Sequence, residues 1–117
     1  MERLLERFSD IIVEVEEHSI AKRGEIVLEK ATLVLLDNTR LYIRQIRRRH
    51  EILAYSYYWI DPSGKIIEGW DNAPHHPEVE TFPHHRHVGD RVEPLHDPSL
   101  EALLQQVKQK LLAANTV

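Results

Sequence analysis

Between residues 11 and 71, several segments alternate apolar and polar positions with a period of two, which is typical of β-strands. The alternation is clearest where Tyr55, Tyr57 and Trp59 share one face of an extended segment. Glycine, proline and asparagine separate such segments and favour turns between them. The predicted strands cover residues 11–16, 25–36, 40–48, 52–60 and 65–71. Because their connections are short, we expect successive strands to pair as an antiparallel meander.

Both ends of the chain have helical periodicity instead. Residues 2–8 predict a short helix, and a longer one begins where Asp97 is the expected N-cap and Pro98 the first helical residue. One apolar stripe on the second helix consists of Leu100, Leu103, Leu104, Val107 and Leu111. The predicted fold class is therefore α+β. We expect one domain over residues 1–117, with a single antiparallel sheet of about five strands, a short amino-terminal helix, and a carboxy-terminal helix packed on one face.

The segment after the fifth predicted strand has a different composition. Residues 72–98 hold five of the six prolines and six of the eight histidines. Repeated proline interrupts both helices and strand ladders, so we expect an ordered but irregular segment, with a short edge strand over residues 88–92. Long irregular segments in compact domains are usually either functional or disordered, and the apolar residues in this one favour order. The histidine- and proline-rich stretch over residues 71–98 is thus the first place to look for function.

Charge and composition narrow the function classes. The net charge of −4, with histidine counted as neutral, argues against a general nucleic-acid coat protein, although a local basic patch can still bind RNA. The absence of cysteine excludes disulfides and thiolate metal sites. No apolar run reaches the roughly 20 residues that span a bilayer, and the acidic amino end does not resemble a secretory signal. We expect no membrane association and a cytoplasmic location.

One long motif resembles a known family. It comprises Tyr57, then Asp-Pro-Ser-Gly at 61–64, Trp-Asp-Asn-Ala-Pro-His-His-Pro at 70–77 and Thr-Phe-Pro-His-His-Arg-His at 81–87. In these residues the chain resembles the TumE family of bacterial toxin–antitoxin toxins. The resemblance implies a small toxin encoded beside a helix-turn-helix antitoxin protein that neutralises it. It assigns no catalytic residue, so the chemistry has to be inferred from the side chains.

The histidines favour metal-independent RNA cleavage as the first hypothesis. Attack by a 2′-hydroxyl on the adjacent phosphate needs a base and an acid, and two imidazoles supply both near neutral pH. The candidates are His75, His76, His84, His85 and His87. On an extended chain His85 and His87 share one side, which makes them the preferred pair, with His75 or His76 opposite. Asp71 is a candidate to orient one imidazole, and Tyr57 to donate a proton or stack on a base.

Arginine is the expected phosphate ligand, since its planar guanidinium matches phosphate oxygens. Arg86 lies among the histidines, and a basic run lies upstream. The run consists of Arg44, Arg47, Arg48 and Arg49. A solvated strand end that resists unwanted pairing explains this run equally well.

Two other hypotheses stay open. Three histidines can hold zinc with one position left for water, and the alternative metal set is His75, His85 and His87. Alternatively, the segment is a non-catalytic binding loop with Tyr55, Tyr58 or Trp70 as an anchor. Under the first hypothesis no cofactor is expected. A homodimer is plausible for so small a sheet protein.

Overall fold

The computed structural model describes residues 1–114 as two helices and seven strands. The helices are α1 (Glu2–Arg7) and α2 (Leu100–Ala114). The strands are β1 (Ile12–Arg23), β2 (Ile26–Leu35), β3 (Arg40–Arg48), β4 (Glu51–Ile60), β5 (Ile66–Asp71), β6 (His85–Val88) and β7 (Arg91–Pro94). All seven strands form one antiparallel sheet in the order β1 to β7, which confirms the α+β class and the meander.

The strand count differs from the prediction because the histidine- and proline-rich segment contributes two strands. β6 pairs with β5 and β7 pairs with β6. The edge strand expected over residues 88–92 is wrong in its placement, since those residues span the hairpin turn between β6 and β7. Gly89 has a φ of +60° there, a left-handed conformation that glycine adopts without steric cost. The turn at Gly89 therefore lies where a single strand was predicted, with β6 before it and β7 after it.

The two faces of the sheet are unlike. One face, which we call the packed face, buries Leu33, Leu41 and Trp59 in a single core with both helices. Leu33 and Leu41 are fully buried, and burying such a side chain contributes about 1.5–3 kcal/mol. The predicted stripe of α2 lies in this core, as expected for a helix packed on one face. The opposite face, which we call the open face, has no helix within residues 1–114 packed on it.

The start of α2 differs from the prediction by two residues. The helix begins at Leu100, and the Ser99 hydroxyl accepts a hydrogen bond from the backbone N–H of Ala102 at 3.1 Å. Ser99 is therefore the N-cap. The carboxylate of Asp97 instead accepts from the N–H of Ser99 and shapes the preceding turn. Of the helices in residues 1–114, none combines the length and apolar character that crossing a bilayer requires.

Candidate functional site

A cleft of about 540 Å³ opens on the open face where β4, β5 and β6 meet. Strand register creates it, because Asp71 on β5 pairs with Ser56 on one side and with His85 on the other. Side chains of directly paired residues project from the same face of a sheet. Four of the five candidate histidines line this cleft: His75, His76, His85 and His87.

Asp71 is the centre of the polar contacts in the cleft. Its Oδ2 accepts a hydrogen bond from the Tyr58 hydroxyl at 3.0 Å, and its Oδ1 accepts one from the N–H of Ala73 at 3.0 Å. The Nε2 atoms of His85 and His87 lie 3.0 Å from Oδ1 and 3.3 Å from Oδ2. The Asp71 side chain is only 9% exposed. Burial of a carboxylate without partners is costly, and the Tyr58 hydroxyl and the Ala73 N–H supply two hydrogen bonds here.

Tyr58 reaches Asp71 because the residue paired with it is a glycine. Gly69 lies beneath the Tyr58 ring, and a Cβ added there would come within 2.5 Å of the tyrosine Cε1. Burial, together with the nearby Asp71 carboxylate that accepts its hydrogen bond, raises the pKa of Tyr58 to about 12. The hydroxyl therefore stays protonated at neutral pH and acts as a donor.

His85 is held at both ring nitrogens. Its Nδ1 donates to the carbonyl oxygen of Pro83 at 2.9 Å, and its Nε2 faces Asp71. The side chain is 3% exposed. His85 thus links the loop before β6 to the carboxylate of β5. Its position suits a fixed, positioning residue better than a group that exchanges protons with a ligand.

His87 and His76 are each held at one nitrogen only. The Nε2 of His87 faces Asp71, and the Nδ1 of His76 lies 3.2 Å from Oε1 of Glu78. The other nitrogen of each ring has no hydrogen-bond partner within residues 1–114. Both side chains are about 30% exposed, and their ring centroids are 5.8 Å apart. Two imidazoles with one free nitrogen each therefore share the cleft.

Glu78 gives His76 an anionic partner. A backbone hydrogen bond to its carboxylate, supplemented by the contact with His76, holds the pKa of Glu78 below its ordinary value of 4.5. Each of the two half-free imidazoles is thus paired with a carboxylate, His76 with Glu78 and His87 with Asp71. We call Tyr58, Asp71, His76, His85 and His87 the Asp71 cluster.

Arg44 is the predicted phosphate ligand that lines this cleft. It lies on β3 opposite Ser56, which places it on the open face in the same cross-strand row as Asp71. Its side chain is exposed and forms no ion pair with any residue in the described part of the chain. His75 is also exposed, at the rim of the cleft.

Three other predicted site residues lie away from the cleft. Arg86 is on the packed face, where it pairs with Glu68 at 3.3 Å and with Glu93 at 3.1 Å. Tyr57 is buried in the core, and its hydroxyl accepts a hydrogen bond from the Gln45 amide at 2.8 Å. The Nδ1 atom of His84 lies 2.9 Å from the hydroxyl oxygen of Tyr55. Strand alternation separates Tyr57 from Tyr58, and Arg86 from its two histidine neighbours.

The rest of the basic run also lies elsewhere. Arg47 donates to the buried carboxylate of Glu29 at 2.7 Å and to the side-chain amide oxygen of Gln45 at 2.8 Å. Arg49 pairs with Glu25 at the end of the sheet, and Arg48 is exposed near that end. Only Arg44 of the four contributes to the cleft. We call His18, Glu29, Gln45, Arg47 and Tyr57 the Glu29 network, since His18 also contacts Glu29 at 2.5 Å.

Sequence reasoning named Tyr58 only as an anchor of a binding loop and left Glu78 out of the site. Tyr58 was detectable, because the alternation that buries Tyr57 necessarily turns Tyr58 to the other face with Ser56. Glu78 lies in the irregular loop, where no periodicity indicates the direction of a side chain. Its contact with His76 depends on the path of the loop.

The cleft also contains a possible metal set. His76, His85 and His87 each offer a ring nitrogen, and these atoms lie within 4.8 Å of one another. The structure therefore brings His76, rather than the predicted His75, into this group. The Nδ1 hydrogen bond from His85 to a backbone carbonyl is the outer contact that metal-binding histidines commonly make. The donor set fits a divalent ion of the zinc class.

Comparison with known proteins gives one match. The model of a protein family described as toxin TumE matches residues 1–113. No curated protein and no solved structure matches the chain. The match covers both helices almost completely, all seven strands and the whole cleft.

Proposed function

Since the chain belongs to the TumE family of toxins, we propose that its toxicity comes from metal-independent RNA cleavage in the open-face cleft. One observation carries the proposal. His76 and His87 share the cleft, and each is held by a carboxylate at one ring nitrogen and free at the other. Transfer of two protons near neutral pH requires a base and an acid with free nitrogens.

His87 is the proposed base. Because Asp71 faces its Nε2, the neutral ring carries its proton there and leaves a lone pair on Nδ1. The Nδ1 atom takes the proton of a ribose 2′-hydroxyl as that oxygen attacks the adjacent phosphorus. His76, protonated beside Glu78, gives a proton from Nε2 to the departing 5′-oxygen. The products are a 2′,3′-cyclic phosphate and a 5′-hydroxyl, and each such proton transfer contributes about 10²–10⁴-fold to the rate.

The remaining groups position the reaction. Arg44 is the proposed ligand of the non-bridging phosphoryl oxygens, because it is the exposed and unpaired arginine of the described cleft. Tyr58 and His85 hold Asp71 in place, and Asp71 in turn holds His87. Asp71 thus acts through His87 rather than on the substrate.

The test uses purified protein without a histidine tag, a labelled single-stranded RNA and an excess of chelator. We expect cleavage by the wild type, and a loss of at least about 100-fold in His87→Ala and in His76→Ala. The matched control is His84→Ala, which removes a neighbouring imidazole outside the cleft and should leave cleavage near wild type. Equal cleavage by all three variants, at equal folded levels, would contradict the proposal.

A second candidate function is metal-dependent hydrolysis. The three clustered ring nitrogens support it, with His76, His85 and His87 as ligands and a bound water as nucleophile. Against it, Asp71 lies at the Nε2 atoms of His85 and His87. Activity that disappears in chelator and returns with stoichiometric zinc would favour this candidate over the first.

The partners are also proposals. Family membership supports an antitoxin, and we propose a helix-turn-helix protein, to be tested by co-expressing the product of the adjacent gene and measuring rescue of growth. A homodimer through β1 is supported by charge, since antiparallel self-pairing centred on Ser19 would place Glu16 opposite Lys22. Light scattering of wild type and Lys22→Glu would test it. The cytoplasm is the proposed compartment, where RNA is available.

A further inference from the structure

Two cross-strand rows run across the open face and both end at the Asp71 cluster. In the first row β2 contributes Lys30, which pairs with Arg44, followed by Ser56 and Asp71. In the second row Tyr42 pairs with Tyr58, and the row continues through Gly69 to His87. A row of charged and polar side chains therefore lies beside a row of aromatic ones.

The cleft extends along these rows. A second hollow of about 270 Å³ lies over β2, β3 and β4, and it shares Arg44, Ser56 and Tyr58 with the histidine cleft. The two hollows are thus adjacent, and we call the surface that they cover together, from the histidines to Lys30 and Tyr42, the groove. Lys30 is three strands from Asp71, or roughly 15 Å at ordinary strand spacing. That length accommodates a short run of nucleotides next to the site of cleavage.

The groove offers groups without internal partners. Lys30 and Arg44 are exposed and form no ion pair within residues 1–114. Tyr42 is 42% exposed, although burial of its ring would be favourable. One carboxylate, that of Glu17, also lines the far hollow and reduces its positive charge. Two free cations and an exposed ring beside a proposed cleavage site match the chemistry of a nucleic-acid strand.

We propose that this groove binds the nucleotides adjoining the cleaved phosphate of a single-stranded RNA. Lys30 contacts the phosphate of an adjoining nucleotide and the Tyr42 ring stacks on its base, while Arg44, which lines both hollows, stays on the cleaved phosphate. The RNA must be single-stranded there, because a base can stack on a side chain only when its own stacking partner has left. This inference rests on the proposed function, since it takes RNA as the substrate, and it adds the residues that hold the substrate outside the reacting atoms.

The experiment measures binding separately from cleavage. A fluorescein-labelled single-stranded RNA of about eight nucleotides is titrated with His87→Ala protein in chelator, and fluorescence anisotropy reports binding. Adding Tyr42→Leu should weaken binding about tenfold, whereas Tyr42→Phe, which keeps the ring, should bind like its parent. Adding Lys30→Ala together with Arg44→Ala should reduce the slope of log affinity against log salt by about 1.4. Lys65→Ala, which removes an exposed cation at the β4–β5 turn, is the matched charge control and should leave the slope unchanged.

The possible results distinguish the proposal of an RNA-binding groove from the proposal of RNA cleavage. Unchanged binding in the Tyr42→Leu and Lys30→Ala/Arg44→Ala proteins would overturn the groove, even if cleavage depends on His76 and His87. Weakened binding in these variants would support the groove, even if the wild type does not cleave RNA and the proposed function fails. Absence of RNA binding throughout, with loss of antitoxin binding in the same variants, would overturn RNA as the occupant and identify a protein interface. Circular dichroism verifies that these surface variants are folded.

Discussion

The Asp71 cluster and the Glu29 network both pair a buried carboxylate with histidine, yet they leave different numbers of polar atoms for a ligand. In the Glu29 network, His18 and Arg47 contact the carboxylate, and Arg47, Gln45 and Tyr57 continue the chain of hydrogen bonds into the core. In the Asp71 cluster, two imidazoles keep a free nitrogen at the surface of a cleft.

A histidine–carboxylate pair is therefore not by itself evidence of a functional site. An arginine in the Glu29 network supplies a permanent charge, so the carboxylate does not depend on the protonation of histidine. The Asp71 cluster has no arginine in contact with its carboxylate among the described residues, and the contacts of Asp71 come from two imidazoles, the Tyr58 hydroxyl and the Ala73 N–H. Imidazole as a chemical group can gain and lose a proton near neutral pH, whereas guanidinium keeps its charge.

The largest expected effect on RNA cleavage comes from removing a histidine of the Asp71 cluster, in comparison with removing one of the Glu29 network. His87→Ala should reduce RNA cleavage by about 10²–10⁴-fold, since it removes the proposed base, while thermal stability changes little. His18→Ala, in the Glu29 network, should do the reverse and lower stability while leaving cleavage intact. Paired cleavage rates and melting temperatures check both. A similar loss of cleavage in both variants would remove the distinction between the clusters.

The next effect concerns the carboxylate of the open cleft. Asp71→Asn keeps the size of the side chain but removes the charge that fixes the orientation and tautomer of His87. We expect kcat to fall about 100-fold with KM nearly unchanged, because Asp71 does not contact the substrate. Steady-state kinetics on a short RNA measure this. An equal rise in KM would instead indicate that Asp71 helps to bind the RNA.

The corresponding change in the Glu29 network should affect stability and its pH dependence. Burial alone would raise the pKa of Glu29, but its bonds to His18 and Arg47 outweigh burial and hold it below the ordinary 4.5. The ionised carboxylate therefore stabilises the fold above that pH, and this stabilisation is lost as the pH falls through the depressed value. Glu29→Gln should lower the free energy of unfolding by about 2 kcal/mol at neutral pH, and by less in acid.

Urea denaturation near neutral pH and near pH 4 measures the Glu29 effect, with Glu16→Gln as the control. Glu16 also pairs with an arginine, at 2.6 Å from Arg40, but on the exposed surface. A constant difference between wild type and Glu29→Gln at both pH values would contradict the assignment.

The smallest effect compares two adjacent tyrosines. Tyr58→Phe removes one of the donors to Asp71 and should lower kcat about fivefold, which corresponds to about 1 kcal/mol. Tyr57→Phe removes the bond to Gln45 in the core and should lower stability by a similar amount without affecting kcat. Kinetics and denaturation of the two variants test whether neighbouring residues of one strand serve different faces.

Much of this arrangement was predictable from strand periodicity, but the meeting of Asp71 with the histidines was not. Alternation placed His85 with His87 on one side of the strand, as the structure has them, and it also implied that Arg44 and Arg47 project to opposite faces. The site role predicted for Tyr57 is not supported, since Tyr57 is buried in the core. Register across β5 and β6 determines whether His85 lies opposite Asp71, and the 13 residues between those strands do not specify it. The extra hairpin was missed because its strands are only four residues each.

The strictly sequential strand order has a consequence for synthesis on the ribosome. Every strand after the first adds to a neighbour that has already been translated, so the sheet can grow from its amino-terminal edge as the chain emerges. Asp71 and Tyr58 are then assembled before β6 delivers His85 and His87. Under the proposed mechanism, most of the sheet is therefore in place before the catalytic groups meet, and the site is complete only when β6 has paired with β5.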